Sequence, residues 1–115
     1  MAETLREKQS RFVRQRNKLE QWAFEKGYEL TDGDAYRDPR VHGDIGEKKG
    51  YGHRNSGHKL RLAKDYNLFL GGKWMDKTDD FEPMGIYWES LSEDARWGGR
   101  FADGNHFSLE HNGVK

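Results

Sequence analysis

Two short stretches of this chain hold side chains that could bind a metal ion and move a proton. The first, Asn55 to Asp65, reads Asn-Ser-Gly-His-Lys-Leu-Arg-Leu-Ala-Lys-Asp and sets His58 seven residues before Asp65. The second, Asp103-Gly-Asn-His106, sets a carboxylate three residues before another histidine. A neutral imidazole and an ionised carboxylate together suit zinc. The chain has no cysteine, so any zinc site here must be built from His, Asp and Glu. The same fact removes disulfides and thiol catalysis, and leaves the compartment open.

Five histidines are available: His42, His53, His58, His106 and His111. If two neighbouring strands carry them together, His58, Asp65 and His106 give three protein ligands and leave a fourth position for water, the arrangement of a catalytic zinc site. Strict alternation would place His58 and Asp65 on opposite faces of one strand, so a bend is needed before Leu60, and Ser56-Gly57 can supply it. Asp103 then stands where a general base would stand. Asp-Gly equally favours a plain turn before a strand. A rival set also exists: His53 and His58, like His106 and His111, are five apart, and four histidines could close a structural site. Closed sites without cysteine are uncommon, and this one leaves Asp65 without a role.

The elements that must position these groups can be read from the periodicity. From Thr4 to about Lys26 there is no Gly or Pro, and Leu5, Phe12, Leu19, Trp22 and Ala23 recur on one side of a helix. Thr4 and Glu7 have the capping-box form, and Gly27 suits a left-handed stop. Residues 28 to 37 alternate at Tyr28, Leu30 and Tyr36 and predict a strand interrupted at Gly33. From Asp38 to Gly57 come Pro39 and five glycines with little that is apolar, which predicts a long loop leading into the His58 stretch. Leu60, Leu62 and Tyr66 to Leu70 read as a buried strand, with Gly71-Gly72 returning it through Lys73-Trp-Met. Residues 76 to 81 are acidic and turn-like, and Pro83 opens a short helix through Ile86, Tyr87, Trp88 and Leu91. Turns follow at Trp97 to Arg100 and Phe101 to Asn105, and His106-Phe-Ser-Leu-Glu makes a last strand.

At 115 residues the chain fits a single domain, residues 1–115, with a modest core. Charged residues, at 35%, outnumber hydrophobic ones, at 33%, but 13% are aromatic, which sets it apart from disordered chains. Net charge is zero, which gives no electrostatic case for binding nucleic acid or an acidic membrane. Lys48, Lys49, Tyr51, His53, Arg54 and Lys59 form a basic, aromatic segment that a nucleic-acid protein would use, but Asp44 and Glu47 offset it. The seven Lys and Arg of residues 1–26 exceed the four Asp and Glu there, and read as a solvated helix face. The N-terminus lacks the apolar core of a signal peptide and no run is long enough to span a bilayer, so synthesis in the cytoplasm without stable membrane insertion is expected.

Ser56-Gly-His58-Lys-Leu-Arg61-Leu-Ala63-Lys-Asp65 resembles the Ser-x-His-x-x-Gly-x-Ala-x-Asp signature of the zinc-dependent D-alanyl-D-alanine carboxypeptidase (VanY-like) family, which includes phage L-alanyl-D-glutamate endolysins. Asp103-Gly-Asn-His106 resembles the second half of that signature. The resemblance runs from about Tyr28 to Leu109. It implies an α+β fold of the hedgehog/DD-peptidase-like kind, an antiparallel sheet with an N-terminal helix and a second short helix packed on it. It implies that His58, Asp65 and His106 bind Zn2+, that Asp103 is the catalytic base, that Arg37 contacts the substrate carbonyl, and that Ser56 lies on the substrate side. The implied activity is hydrolysis of peptidoglycan stem peptides, as an L-alanyl-D-glutamate endopeptidase acting on the wall after release from the cell. A D-Ala-D-Ala carboxypeptidase or a non-catalytic zinc-containing wall-binding module are the alternatives, and a monomer is expected. Arg61 departs from the signature, standing where the family usually has Gly.

Overall fold

The computed structural model describes residues 2–33 and 60–115. They form a small α+β domain with an N-terminal helix, a five-stranded antiparallel sheet and a second short helix. The first helix, α1, runs Leu5–Glu25. Both bonds of the predicted capping box are made, Thr4 Oγ1 accepting from the Glu7 N–H and Glu7 Oε1 from the Thr4 N–H. Phe12, Gln15, Leu19 and Ala23 are buried along one stripe. Leu5, expected on that stripe, is instead 39% exposed at the first residue of the helix. The Gln15 amide survives burial by donating to Ser92 Oγ and accepting from Arg11.

Strand β1 is Tyr28–Asp32, β2 Ala63–Leu70 and β3 Lys73–Met75. The β2–β3 return is the predicted hairpin: Gly71 and Gly72 have φ of 60° and 79°, and two consecutive positive φ values define the turn that suits the twist of two short strands. A 3-10 turn at Thr78–Phe81 leads into α2, Glu82–Glu89, with proline in its first turn as expected. Strand β4, Ala95–Trp97, was not legible in the sequence, since three residues leave no measurable alternation. A second 3-10 turn, Gly98–Phe101, precedes β5, His106–Leu109.

The strand order is β1-β2-β5-β4, and β3 also pairs with β2. Strand β1 takes one edge of β2, while β5 (against residues 63–65) and β3 (against 68–70) take the other edge in succession. The helices cover one face. There Phe12 meets Trp88 edge-on at 5.8 Å, and Trp88 and Tyr66 both meet Phe107, at 6.2 and 5.7 Å. The buried Trp88 indole donates to the Ser108 carbonyl, so the ring most committed to the core is also tied to β5. No helix among the described residues is long and apolar enough to cross a membrane.

Candidate metal centre

Strand β2 does not begin where the sequence suggested. Leu60 and Leu62 lie ahead of it, and the chain breaks at Arg61, which has φ 58°, in the left-handed region that favours glycine. Only from Ala63 does regular strand pairing start. The chain thus turns at Arg61, after Leu60 and four residues past Gly57, whereas the bend expected at Ser56-Gly57 lies outside the described residues. The position at which the resembled signature carries Gly is one that a glycine would occupy without strain.

Asp65 is the third residue of β2 and faces His106, the first of β5, in direct cross-strand register. Residues directly opposite one another in an antiparallel pair point to the same face, and this is the face away from the helices. His106 Nδ1 lies 3.2 Å from Asp65 Oδ1, and the two residues are 4% and 7% exposed. An ionised carboxylate can only accept, so in this pair Nδ1–H donates to Asp65 Oδ1. The same spacing suits shared coordination. Two ligands on a tetrahedral zinc, each at about 2.0–2.1 Å, stand roughly 3.3 Å apart. The donor types, their burial and their separation all fit two of the three expected ligands.

Asp103 occupies the turn that enters β5. Its N–H donates to the Gly98 carbonyl at 2.8 Å and its own carbonyl accepts from the His106 N–H at 3.1 Å. The plain turn reading is thus correct for the backbone, while the residue itself is exposed. Two features of the preceding segment hold that turn. Gly98 lies so close that a Cβ there would stand 2.1 Å from the Asp103 carbonyl oxygen and 2.7 Å from His106 Cβ. Trp97, with Gly85 and Gly99 against its ring, donates its indole N–H to the Gly104 carbonyl at 2.8 Å. From sequence, Trp97-Gly-Gly registered only as a turn. A large buried donor placed shortly before the acidic loop was the available signal. The Phe101 ring then packs edge-on to the His106 imidazole at 5.9 Å.

Ser108, two residues beyond His106, lies on the same face and is fully buried. Nothing in the sequence marked it as more than a strand serine. On the helix side, buried Lys64 pairs with Asp32 at 2.7 Å and sits 5.3 Å from the Tyr66 ring; the Lys64 bond holds the Asp32 carboxyl below its usual range. The Tyr66 hydroxyl donates to Glu20, and its pKa is pushed up, first by burial and then by that carboxylate.

The other expected site residues, His58, Arg37 and Ser56, lie outside the described residues, as do His42, His53 and the segment from Asp38 to Gly57 with Lys48, Lys49, Tyr51, Arg54 and Lys59. Among the described residues no group of three or more potential metal-ligating side chains comes together. Of the all-histidine rival, only His106 and His111 lie among the described residues, and the structure holds them apart. His111 bridges to Val114 past the far end of β5, within 3.5 Å of Lys8 Nζ, and five residues of extended chain separate it from His106 by roughly 15 Å. Compared with known proteins, the chain matches no family model and no curated protein sequence.

Proposed function

We propose that the chain is a zinc metallopeptidase that hydrolyses peptidoglycan stem peptides, an L-alanyl-D-glutamate endopeptidase on a hedgehog/DD-peptidase-like fold. The observation that carries this reading is the juxtaposition of Asp65 and His106. Two residues 41 apart in sequence, at the two motif positions that the resemblance assigns to ligands, share a buried cross-strand pair with the spacing of co-ligands.

In this reading His58 is the third ligand. Zinc, when bound, supplies Lewis acidity that activates a water and polarises the scissile carbonyl. Asp65 and His106 hold their donors on adjacent rigid strands, which keeps the site preorganised. The Asp103 carboxylate takes the proton of the attacking water and returns it to the departing amine, and the Trp97 and Gly98 contacts fix its turn for that transfer. Arg37 stabilises negative charge growing on the carbonyl oxygen. The protein acts on the cell wall after release, as a monomer.

Mass spectrometry of the products released from purified peptidoglycan, with and without a chelator, tests the proposal and identifies the bond cut. The expected result is a defined set of peptide ends that the chelator abolishes. No soluble product under either condition overturns the hydrolase assignment. Asp103→Ala is expected to lower kcat by at least about a hundredfold while zinc content stays that of the wild type.

A further inference from the structure

The edge of β2 shared by β3 and β5 has a gap. The β5 pairing ends at Asp65 and the β3 pairing begins at Leu68, so neither strand covers Tyr66 and Asn67, and only the Tyr66 N–H reaches across, to the Asn105 carbonyl. A cavity of about 210 Å³ opens at that gap, between β3, the Thr78–Phe81 turn and the loop that carries Asp103. It adjoins the candidate metal centre, because Asn67 shares a sheet face with Asp65 two residues away and Asn105 immediately precedes His106.

Its lining has a definite character. Asn67, Thr78 and Asn105 offer neutral hydrogen-bonding groups, Asp76 offers a carboxylate, and among the described residues no Lys, Arg or His lines it. Trp74 stands at the wall with 58% of its surface exposed, an indole whose ring is open to a partner. The volume equals that of roughly seven water molecules, the scale of one long side chain. A primary ammonium on an aliphatic stem matches all three properties: the Asp76 carboxylate for its charge, amide and hydroxyl acceptors for its protons, and an indole for its stem and its cation.

We propose that this gap in the sheet, walled by Trp74, Asp76, Thr78 and Asn67 beside Asp103, is the subsite for a substrate residue with a free side-chain amine, next to the scissile bond. The proposal rests on the peptidase reading and names its substrate more closely: a stem peptide whose diamino residue is not acylated. Trp74 and Asp76 are then specificity residues that select among peptides, apart from the groups that act on the bond.

Two synthetic stem peptides, identical except that the diamino residue's side-chain amine is free in one and acetylated in the other, test it. Wild-type protein is expected to favour the free-amine peptide at least about tenfold in kcat/KM. Asp76→Asn is expected to remove most of that preference through KM, and Trp74→Ala to raise KM for the free-amine peptide two- to fivefold. Binding is read separately, from the Trp74 indole resonance of chelator-treated protein, assigned with Trp74→Phe, as each peptide is added. Cleavage of both peptides with equal kcat/KM overturns the subsite and leaves the peptidase standing. Selective binding of the free-amine peptide without cleavage of either supports the subsite and overturns the peptidase. Neither cleavage nor a shift of the Trp74 resonance overturns both.

Discussion

The two faces of the sheet are buried by different means. On the helix side, Phe107 meets the rings of Tyr66, Phe81 and Trp88, and Trp88 also meets Phe12, so that the five rings form one connected cluster. On the opposite side, the buried polar groups are Asp65, His106 and Ser108, whose burial carries a penalty unless each finds specific partners. The first face tolerates local change because dispersion and apolar burial add up over many contacts. The second depends on two or three atoms at fixed separations. A chain this small that buries a histidine and a carboxylate gives up stability that an apolar pair would supply, a cost that the proposed metal would offset.

Four measurements would break or sharpen that contrast, and the largest effect belongs to the helix side. Trp88→Ala should cost about 3–5 kcal/mol, since it leaves a cavity among Phe12 and Phe107 and removes the indole bond to the Ser108 carbonyl, and chemical denaturation reads it directly. A loss below about 1 kcal/mol would show that the aromatic cluster is not the main source of stability.

Next in size is the response to zinc on the opposite face. Free zinc at a hundredfold its dissociation constant should raise stability by about 2.7 kcal/mol, seen as a higher Tm in calorimetry. His106→Ala should abolish the shift. An equal shift in that variant would place the metal elsewhere.

A smaller effect is expected at Arg61, where the chain turns into β2. A non-glycine residue at φ 58° costs about 1–2 kcal/mol, and glycine costs about 0.5–1 kcal/mol in extra freedom of the unfolded chain, so Arg61→Gly should stabilise by roughly 0.5–1 kcal/mol. Destabilisation on denaturant melts would mean that the Arg61 side chain contributes more than its backbone strain costs.

The smallest effect lies at the rim of the helix side. Arg11 donates to Asp94 and Glu3, and the Asp94 carboxyl is held well below its usual range, first by Arg11 and also by Ser92 and Lys8. With the folded pKa depressed, the stabilisation is fully present above the ordinary carboxylate pKa of about 3.9 and is lost as the pH falls below it. Solvent screening keeps it under about 1 kcal/mol. Asp94→Asn should flatten the stability profile between about pH 4 and pH 2, and an unchanged acid slope would assign that slope to other carboxylates.

Much of the scaffold was legible because its signals are local. The capping box of Thr4 and Glu7, the Gly71-Gly72 return and Pro83 at the head of α2 each depend on residues within one turn of each other, and the structure has all three. Strand β4 was missed because its place is set by pairing with β5 and not by its own three residues. The beginning of β2 was misjudged for a related reason: Leu62 is fully buried and looks like a strand residue, yet Arg61 has already turned the chain.

The site divides the same way. Donor types and spacing are properties of the chain, so the sequence by itself determined that His58, Asp65, Asp103 and His106 were the residues to watch and that thiolate chemistry was closed. Distance is a property of the fold. Only the tertiary structure decided that Asp65 and His106 meet at 3.2 Å while His111 is carried to the other end of β5, because cross-strand register joins residues 41 apart and separates residues five apart. The cavity at Tyr66–Asn67 has no sequence signal at all, since it arises where two strands share one edge of a third and leave a gap between them.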